Sequence, residues 1–600
     1  MSAQAAGCRG WKMLYGVTRP TIHIRCVSST EAGSRPSEDE QLWETASPLP
    51  FSAARLGSFF QDRPVLKNPF LEDALLRGYL RRHLPQEAVF SDLLAFGNRV
   101  SAEVDGWGRE CEVTPPRLVH FDPWGRRVDH ILTSPAWKRM KELSAQEGLV
   151  AIAYERPMGE WSRVYQMCKL YIFSPSSGLY TCPLAMTDGA AKVIQSTGVS
   201  WPVEAAYNRL TSRQPEHFWT SGQWMTERQG GSDVGGGTAT MAVPQSDGWY
   251  KLYGFKWFTS ATDADMTLTL ARVCDRSGAT IPGSRGLSLF YAEVSRDHDG
   301  CLRGIEVQRL KDKLGTRQMP TAELLLDGLP AHRLSEEGRG VASIANMLTI
   351  TRIHNSIAAA ASMRRVVQLA RDYATRRTAF GKLLKEHPLH MQTLARMEVE
   401  TRGAFLLAMD VCRLLGREES AIASQFDTHL LRLLTPVVKL YTGKQVLSIW
   451  EGTTNVLSLD VLRCVHRSSG MVLHAYFTHA KSLLAGASSV SSLDPAVRAV
   501  DGALSELKGF VQEAATKAPG YLELAARDLA YSLARIYAGA LLIDHASWKG
   551  SSPADIYAAL RWCEQDLCIV ASNKMRGCYD GNCPGLDSAL VYEQPTEGKN

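Results

Sequence analysis

From Ser343 to Thr378 the chain runs without a proline or a glycine, the two residues that most readily end a helix. That stretch predicts a helix longer than usual, and one rod of such length fixes what can lie on either side of it. Downstream, residues 389 to 447 keep a helical period, with Gly403, Gly416, Pro436 and Gly443 as interruptions. Upstream the texture differs: Trp249–Ser260, Leu287–Val294 and Ala322–Leu326 are short aromatic and branched runs divided by Asp-Gly and Pro-Gly turn signals, which predicts strands. Earlier still, Leu71, Leu75, Leu76, Tyr79 and Leu80 recur at helical spacing, as do residues in Ser91–Glu103 and Ala136–Ala145. The tail adds Asp494–Ala514, with Asp494 as N-cap and Pro495 as first helical residue, and Ala554–Ala571. The reading is an α+β chain: a leader and linker over 1–50, an N-terminal helical domain over 51–220, a middle β domain over 221–335, a helical bundle over 336–465 and an extra C-terminal helical domain over 466–600.

Length and charge narrow the class of function. Six hundred residues exceed one core, while 45% hydrophobic and 22% charged residues describe an ordinary globular composition. A net charge of +5 is far from the concentrated basic footprint of a nucleic-acid binder. Thirteen scattered cysteines read as thiols of a reduced interior. No apolar run is long enough to span a bilayer. Met1 to Thr30 holds no Asp or Glu, and Arg9, Lys12, Arg19 and Arg25 are interspersed with Trp11, Leu14, Ile22 and Ile24, the pattern of an organellar transit peptide. The alternative is an acid-free tail.

Two joints carry candidate chemistry. Trp450-Glu451-Gly452-Thr453 places one carboxylate between an aromatic ring and a glycine turn, which suits a general base; a glutamate that merely caps a helix end is the plainer alternative. Residues 224 to 237 pack Gly230, Gly231, Gly235, Gly236 and Gly237 beside Thr226 and Ser232, exposing backbone N–H groups to a planar ring or a phosphate. It is neither a GxxxxGK[ST] loop nor a GxGxxG turn, and by itself it also suits a plain strand connection. Lys256-Trp257-Phe258-Thr259-Ser260 then offers an aromatic wall beside a hydroxyl.

Taken in order, Met225-Thr226-Glu227-Arg228-Gln229-Gly230-Gly231-Ser232-Asp233, Trp257-Phe258-Thr259-Ser260, Arg376-Arg377-Thr378-Ala379-Phe380-Gly381-Lys382 and Trp450-Glu451-Gly452-Thr453 resemble the motifs of acyl-CoA dehydrogenases. The AidB-like branch is resembled most, through Trp450, the Thr453-to-Arg463 continuation and the long tail. The resemblance implies FAD as cofactor, with Thr226 on the flavin ring, Ser232 beside the pyrophosphate and the pantetheine arm, and Trp257 with Thr259 over the isoalloxazine. Arg377 and Phe380 would reach a cofactor held by a neighbouring subunit, which implies a homo-oligomer, a dimer of dimers. Thr453 belongs to the cofactor turn, and Arg352 would lie near the CoA nucleotide. Glu451 would take the α-proton of a fatty acyl-CoA, since the family's other base position is Thr351 here. The same resemblance implies a mitochondrial matrix protein handing electrons to an electron-transfer flavoprotein.

One departure stands out. Family members carry a Gly-Gly turn and a short helix before the catalytic loop, whereas here Gln445 is followed at once by Val446-Leu447-Ser448-Ile449-Trp450, and no Gly-Gly pair occurs between Phe380 and Glu451. A missing segment predicts weakened FAD affinity or an unstable dimer, and opens the alternative of an acyl-CoA sensor or scaffold without turnover. The pairs Cys563/Cys568 and Cys578/Cys583 lack the tighter spacing of structural zinc, so no metal is expected. A basic run over Arg364, Arg365, Arg371, Arg376 and Arg377 leaves an AidB-like association with DNA as the remaining alternative, disfavoured by a tail that is not strongly basic.

Overall fold

The computed structural model describes residues 64–443, 449–581 and 583–592. The leader, the linker and the Gln445–Val446 junction lie outside the described residues. The first helices are α1 (Ala74–His83), α2 (Glu87–Arg99) and α3 (Asp105–Val113), the last two joined by a π turn over Val100–Val104. Asp73 caps α1 by accepting from the backbone N–H of Leu76 at 3.0 Å. A hairpin, β1 (Arg117–Phe121) and β2 (Arg127–Leu132), follows. It lies within the stretch read as helical, and the reason is visible: Asp122 and Gly125 close its turn, but the strands are mostly exposed and leave a weak alternation. Helices α4 (Pro135–Gln146), α5 (Ser162–Phe173) and α6 (Thr181–Thr197) follow, with shorter helical pieces over Ala151–Glu155 and Glu204–Leu210.

The middle is seven strands: β3 (Ser221–Gln223), β4 (Met241–Pro244), β5 (Tyr250–Ser260), β6 (Met266–Val273), β7 (Leu287–Glu293), β8 (Ile305–Leu310) and β9 (Thr321–Arg333). Pairings β6–β4–β5–β9–β7 close on themselves through β7–β6, with β3 beside β6 and β8 beside β9. All are antiparallel except β3–β6 and β4–β6. Closure leaves few free edges, and Trp224, Leu252, Phe290, Leu324 and Leu326 fill the interior.

The long rod is α7 (Gly340–Arg376). It ends in a small hairpin, Thr378–Ala379 against Lys382–Leu383, followed by α8 (Pro388–Glu419) and α9 (Gln425–Thr442). Pro436 lies inside α9 without ending it, and Gly443, read from the sequence as an interruption, is its C-cap. Beyond come α10 (Thr454–Arg467), α11 (Met471–Ala485), α12 (Asp494–Ala514), α13 (Pro519–Ser547), α14 (Pro553–Cys563), α15 (Ile569–Met575) and α16 (Cys583–Tyr592). Leu493, not Asp494, is the cap of α12. The expected helix over 554–571 is two, because Asp566 accepts from the N–H of Cys568 and breaks the run. One apolar core unites the first helices, the bundle and the C-terminal helices: Leu76, Leu80, Phe405, Leu434, Tyr476, Tyr537 and Trp562 belong to it. A second, with Met186, Ile194, Leu268, Leu289, Ile344 and Met347, glues α6 and the start of α7 to β6 and β7.

Candidate active site

Glu451 stands at the junction that these cores create. It has φ +60° and Gly452 has φ +103°, so two consecutive residues take the left-handed region, which costs a glutamate about 1 kcal/mol or more. Three helices hold the turn in that shape. From α7, the Thr351 hydroxyl donates to Glu451 Oε2 at 2.7 Å, and Arg352 Nε donates to the Glu451 carbonyl at 3.2 Å. From α9, Lys439 Nζ donates to the Gly452 carbonyl at 2.6 Å. In α10, Thr453 is the N-cap and Asp460 receives Arg352 Nη1 and Arg432 Nη2, both at 2.9 Å. The Thr351 hydroxyl also lies 3.1 Å from the Met347 carbonyl and 3.3 Å from that of Leu348. It has one proton, and the shorter contact to a charged acceptor takes it.

Burial raises the pKa of the Glu451 carboxyl, against the Thr351 hydrogen bond and the charges of Arg352 and Lys439. Lys439, itself 1% exposed, is brought down to about 8 by burial, Glu451 opposing and Arg352 adding to the fall. Cys182 of α6 feels both Glu451 and Lys313, and burial pushes its thiol up to about 12. Burial lowers Lys313 to about 8. Lys313 Nζ donates to the Met319 carbonyl at 3.0 Å and to Thr321 Oγ1 at 2.5 Å, and Thr321 Oγ1 meets Ser260 Oγ at 3.1 Å. Thr321 thus ties Lys313 to Ser260 at the end of β5.

The β-domain motifs meet each other directly. The Trp257 N–H donates to the Thr226 carbonyl at 2.8 Å. Glu227 receives Lys256 Nζ at 2.7 Å and Thr240 Oγ1 at 2.5 Å, which locks the loop behind them. Arg272 spends its fork on the carbonyls of Gly235, Thr238, Ile281 and Gly283, between 2.6 and 2.8 Å. The backbone at Gly230 and Gly237 is so close that a Cβ on Gly237 would lie 2.3 Å from Gly230 Cα. Ser232 is exposed at the outer side of this loop. Trp257 is half-buried, with Lys311 Nζ 3.2 Å and the Arg228 guanidinium 5.0 Å from its ring centre. Thr259 is fully buried and donates to the Ala322 carbonyl at 2.6 Å, where a bulge between Lys256 and Thr259 shifts the strand.

Arg352, expected near the CoA nucleotide, donates to Asp460 and to the Glu451 carbonyl. Arg377 is the C-cap of α7, and Phe380, 97% exposed at φ +50°, tips the hairpin after it. Twenty-five residues of helix separate Arg377 from Arg352, roughly 38 Å at 1.5 Å per residue. Within one chain Arg377 and Phe380 do not join the Glu451 turn. Lys439 and Asp460 escaped sequence reading, although each is a lone charge in an apolar run, Leu433-to-Tyr441 and Val456-to-Val461. Arg272 and Lys313 had no such signal.

Four family models match in this order: the adaptive response protein AidB N-terminal domain at 63–216, the acyl-CoA dehydrogenase middle domain at 222–329, the acyl-CoA dehydrogenase C-terminal domain at 338–435 and the acyl-CoA dehydrogenase 11 C-terminal domain-like model at 471–592. The chain belongs to the acyl-CoA dehydrogenase family, a family of oxidoreductases. It is similar to acyl-CoA dehydrogenase family member 11 of Caenorhabditis elegans, 45% identical with 87% of this chain and 92% of that one covered. It is also 29% identical to the putative acyl-CoA dehydrogenase AidB of Escherichia coli, over 64% of this chain and 75% of that one. Among solved structures, Caenorhabditis elegans ACDH-11 in complex with C11-CoA superposes with a TM-score of 0.85 at 43% identity, covering 90% of this chain and 98% of that one. An acyl-CoA dehydrogenase from Bacillus anthracis complexed with FAD shares the fold, with a TM-score of 0.58 at 18% identity over 78% of this chain and 87% of that one.

Proposed function

We propose that this protein is an FAD-dependent dehydrogenase of fatty acyl-CoA thioesters in which Glu451 removes the α-proton. The observation that carries the reading is the Glu451 carboxylate, raised in pKa by burial and held by the Thr351 hydroxyl of α7, on a turn whose carbonyls accept from Arg352 of α7 and Lys439 of α9. Thr351 occupies Oε2, which leaves Oε1 to take the proton. Lys439 and Arg352 hold the carbonyls of Gly452 and Glu451, so the turn keeps its aim as the carboxylate gains or loses charge. Arg352 in this reading also positions the base, through the Glu451 carbonyl. The bound C11-CoA of the Caenorhabditis elegans relative supports a fatty acyl thioester as substrate class.

The β-domain residues fit the flavin. Thr226 and Trp257 are paired through their backbones, and the crossing of Gly230 and Gly237 puts no side chain at that point of the loop. Thr226, Ser232, Trp257 and Thr259 would hold the cofactor from this side, with Thr453 at the turn, and Arg377 and Phe380 would do so across a homo-oligomer. FAD supplies the acceptor for the hydride from the β-carbon. Exposed Val366, Leu369, Tyr373, Phe380 and Leu389 along the ends of α7 and α8 support assembly with further copies, as a dimer of dimers. The acid-free first thirty residues support the mitochondrial matrix, with an electron-transfer flavoprotein as electron acceptor.

A second reading, an acyl-CoA sensor without turnover, rests on the missing Gly-Gly segment. The alignment with the Caenorhabditis elegans relative extends over 567 residues yet takes in 87% of this 600-residue chain, so that relative carries positions that this chain lacks. Purified protein should show a flavin absorption band that bleaches anaerobically with a medium-chain acyl-CoA. Thermal stabilisation by the thioester without bleaching selects the sensor, and neither effect rejects both readings.

A further inference from the structure

A cavity of about 150 Å³ lies far from the Glu451 turn, between α1, α8 and the C-terminal helices α11 and α13. Its walls are unusual for a packing void. Apolar voids stay dry and empty, whereas a polar cavity of this size holds water or a ligand. Here Arg82 and His83 come from α1, Asp410 and Arg413 from α8, His479 from α11, and Asp544 and His545 from α13.

The state of each group decides what the cavity accepts. Both Asp544 oxygens receive the Arg82 fork at 2.8 and 2.9 Å. Asp410 receives Arg413 Nε at 2.8 Å on one oxygen and the Tyr537 hydroxyl at 2.7 Å on the other. The carboxylate oxygens are therefore engaged, and although Arg82 Nη1 also donates to the Asp544 carbonyl at 2.8 Å and Arg413 Nη2 lies 2.8 Å from Asp410 Oδ1, each guanidinium still has N–H groups that these bonds do not use. Among the described residues no three His, Cys, Asp or Glu groups are arranged to hold a metal ion. His83 stacks on Trp161 with ring centres 5.4 Å apart and faces Arg82, Arg413 and His545, with Asp410 opposing them. Nothing in this set favours a cation.

We infer that this cavity is a site for a compact oxyanion, held by His83 and the unspent N–H groups of Arg82 and Arg413, which bridges the first helix of the N-terminal domain to the C-terminal domain. Burial and the neighbouring arginines bring His83 down to about 3. His479 is lowered by burial and Arg413 against Asp410, Asp427 and Asp544, and His545 by burial, Arg82 and Arg402 against Asp555 and Asp544. Arg82 and Arg413 are each paired with an aspartate, so with all three imidazoles neutral a bound anion adds net negative charge to the cavity and draws a proton onto an imidazole. The complex then holds more protons than the free site, so affinity rises as pH falls.

Sulfate is the probe, because it keeps the same charge between pH 6 and pH 8. Titration of the full chain by calorimetry, against chloride at matched ionic strength, should give saturable binding that is tighter at pH 6. His83→Leu should weaken it about tenfold or more, the worth of a hydrogen bond to a charged group. Sulfate captured by the glycine loop instead would bind His83→Leu and the wild-type protein alike, and that result overturns the inference, as does the absence of saturable binding. Should His83→Leu fail to fold, the imidazole resonances of histidine-labelled wild-type protein decide: sulfate must shift those of His83, His479 or His545, and unmoved resonances overturn the site.

Discussion

At the scale of residues, Glu451 shows how a site is legible in part. Its neighbours Trp450 and Gly452 mark it in the sequence, but the groups that tune it come from distant helices and could not be read from its surroundings. Thr351 looked like the empty place of an alternative base, and it donates to the base instead. If Glu451 carries the reaction, Glu451→Gln should lower the rate of flavin reduction by about 100- to 10,000-fold, the usual worth of a positioned general base. The amide keeps the Thr351 contact, so the melting temperature should hold or rise. Thr351→Val removes a donor that favours the charged carboxylate. The acidic limb of the pH–rate profile should move to higher pH, and a profile that stays in place rejects this role for Thr351.

Lys439 makes a second test through stability. Its folded pKa, about 8, lies below the ordinary lysine value near 10.4, so the unfolded chain binds the proton more tightly. The contribution of Lys439 to stability is fully present above the unfolded value and is lost as pH falls through the folded value. Urea unfolding at pH 8 and pH 10 should therefore show a rise in stability that Lys439→Met partly removes. Lys313, lowered to a similar value, keeps its own share of the rise in that variant.

At the scale of elements, the strongest signals were those with a long period. The run without proline or glycine from Ser343 became α7, Gly340–Arg376, and the change of texture after Trp219 became the closed set of strands. Misreadings fell where short-range chemistry overrides period: Asp122 in the β1–β2 turn and Asp566 between α14 and α15. The glycine loop lies between these cases. Its composition was visible, but that Gly230 and Gly237 cross at contact distance depends on Arg272 gathering four carbonyls from two loops. Gly237→Ala should force that crossing apart, costing about 1–3 kcal/mol as an overpacked site does. Loss of flavin affinity beyond the loss in melting temperature would tie the crossing to the cofactor, and an unchanged melting temperature would show that the loop has slack.

At the scale of the whole molecule, the tail after α10 is continuous with the bundle. Leu434 of α9, Phe405 of α8 and Tyr537 of α13 share one core, and polar contacts reinforce it: Arg402 Nη1 with Asp555 at 2.5 Å and Arg82 with Asp544 at 2.8 Å. Trp562 of α14 is fully buried against Gly403 of α8, where any Cβ would lie 2.4 Å from the ring. A bundle helix thus carries a glycine because a residue far along the chain fills its place, a dependence that no local pattern reveals. Trp562→Ala should cost about 3–5 kcal/mol through the cavity that it leaves. Because the core is shared, that loss should lower one common unfolding transition, followed by near-ultraviolet circular dichroism for the aromatic core and far-ultraviolet for the helices. An independently folding tail would instead give two transitions, with the mutation shifting the tail's alone. Deleting residues 471–592 carries the same logic further: it uncovers the apolar faces of α8 and α9, and the shortened chain should aggregate.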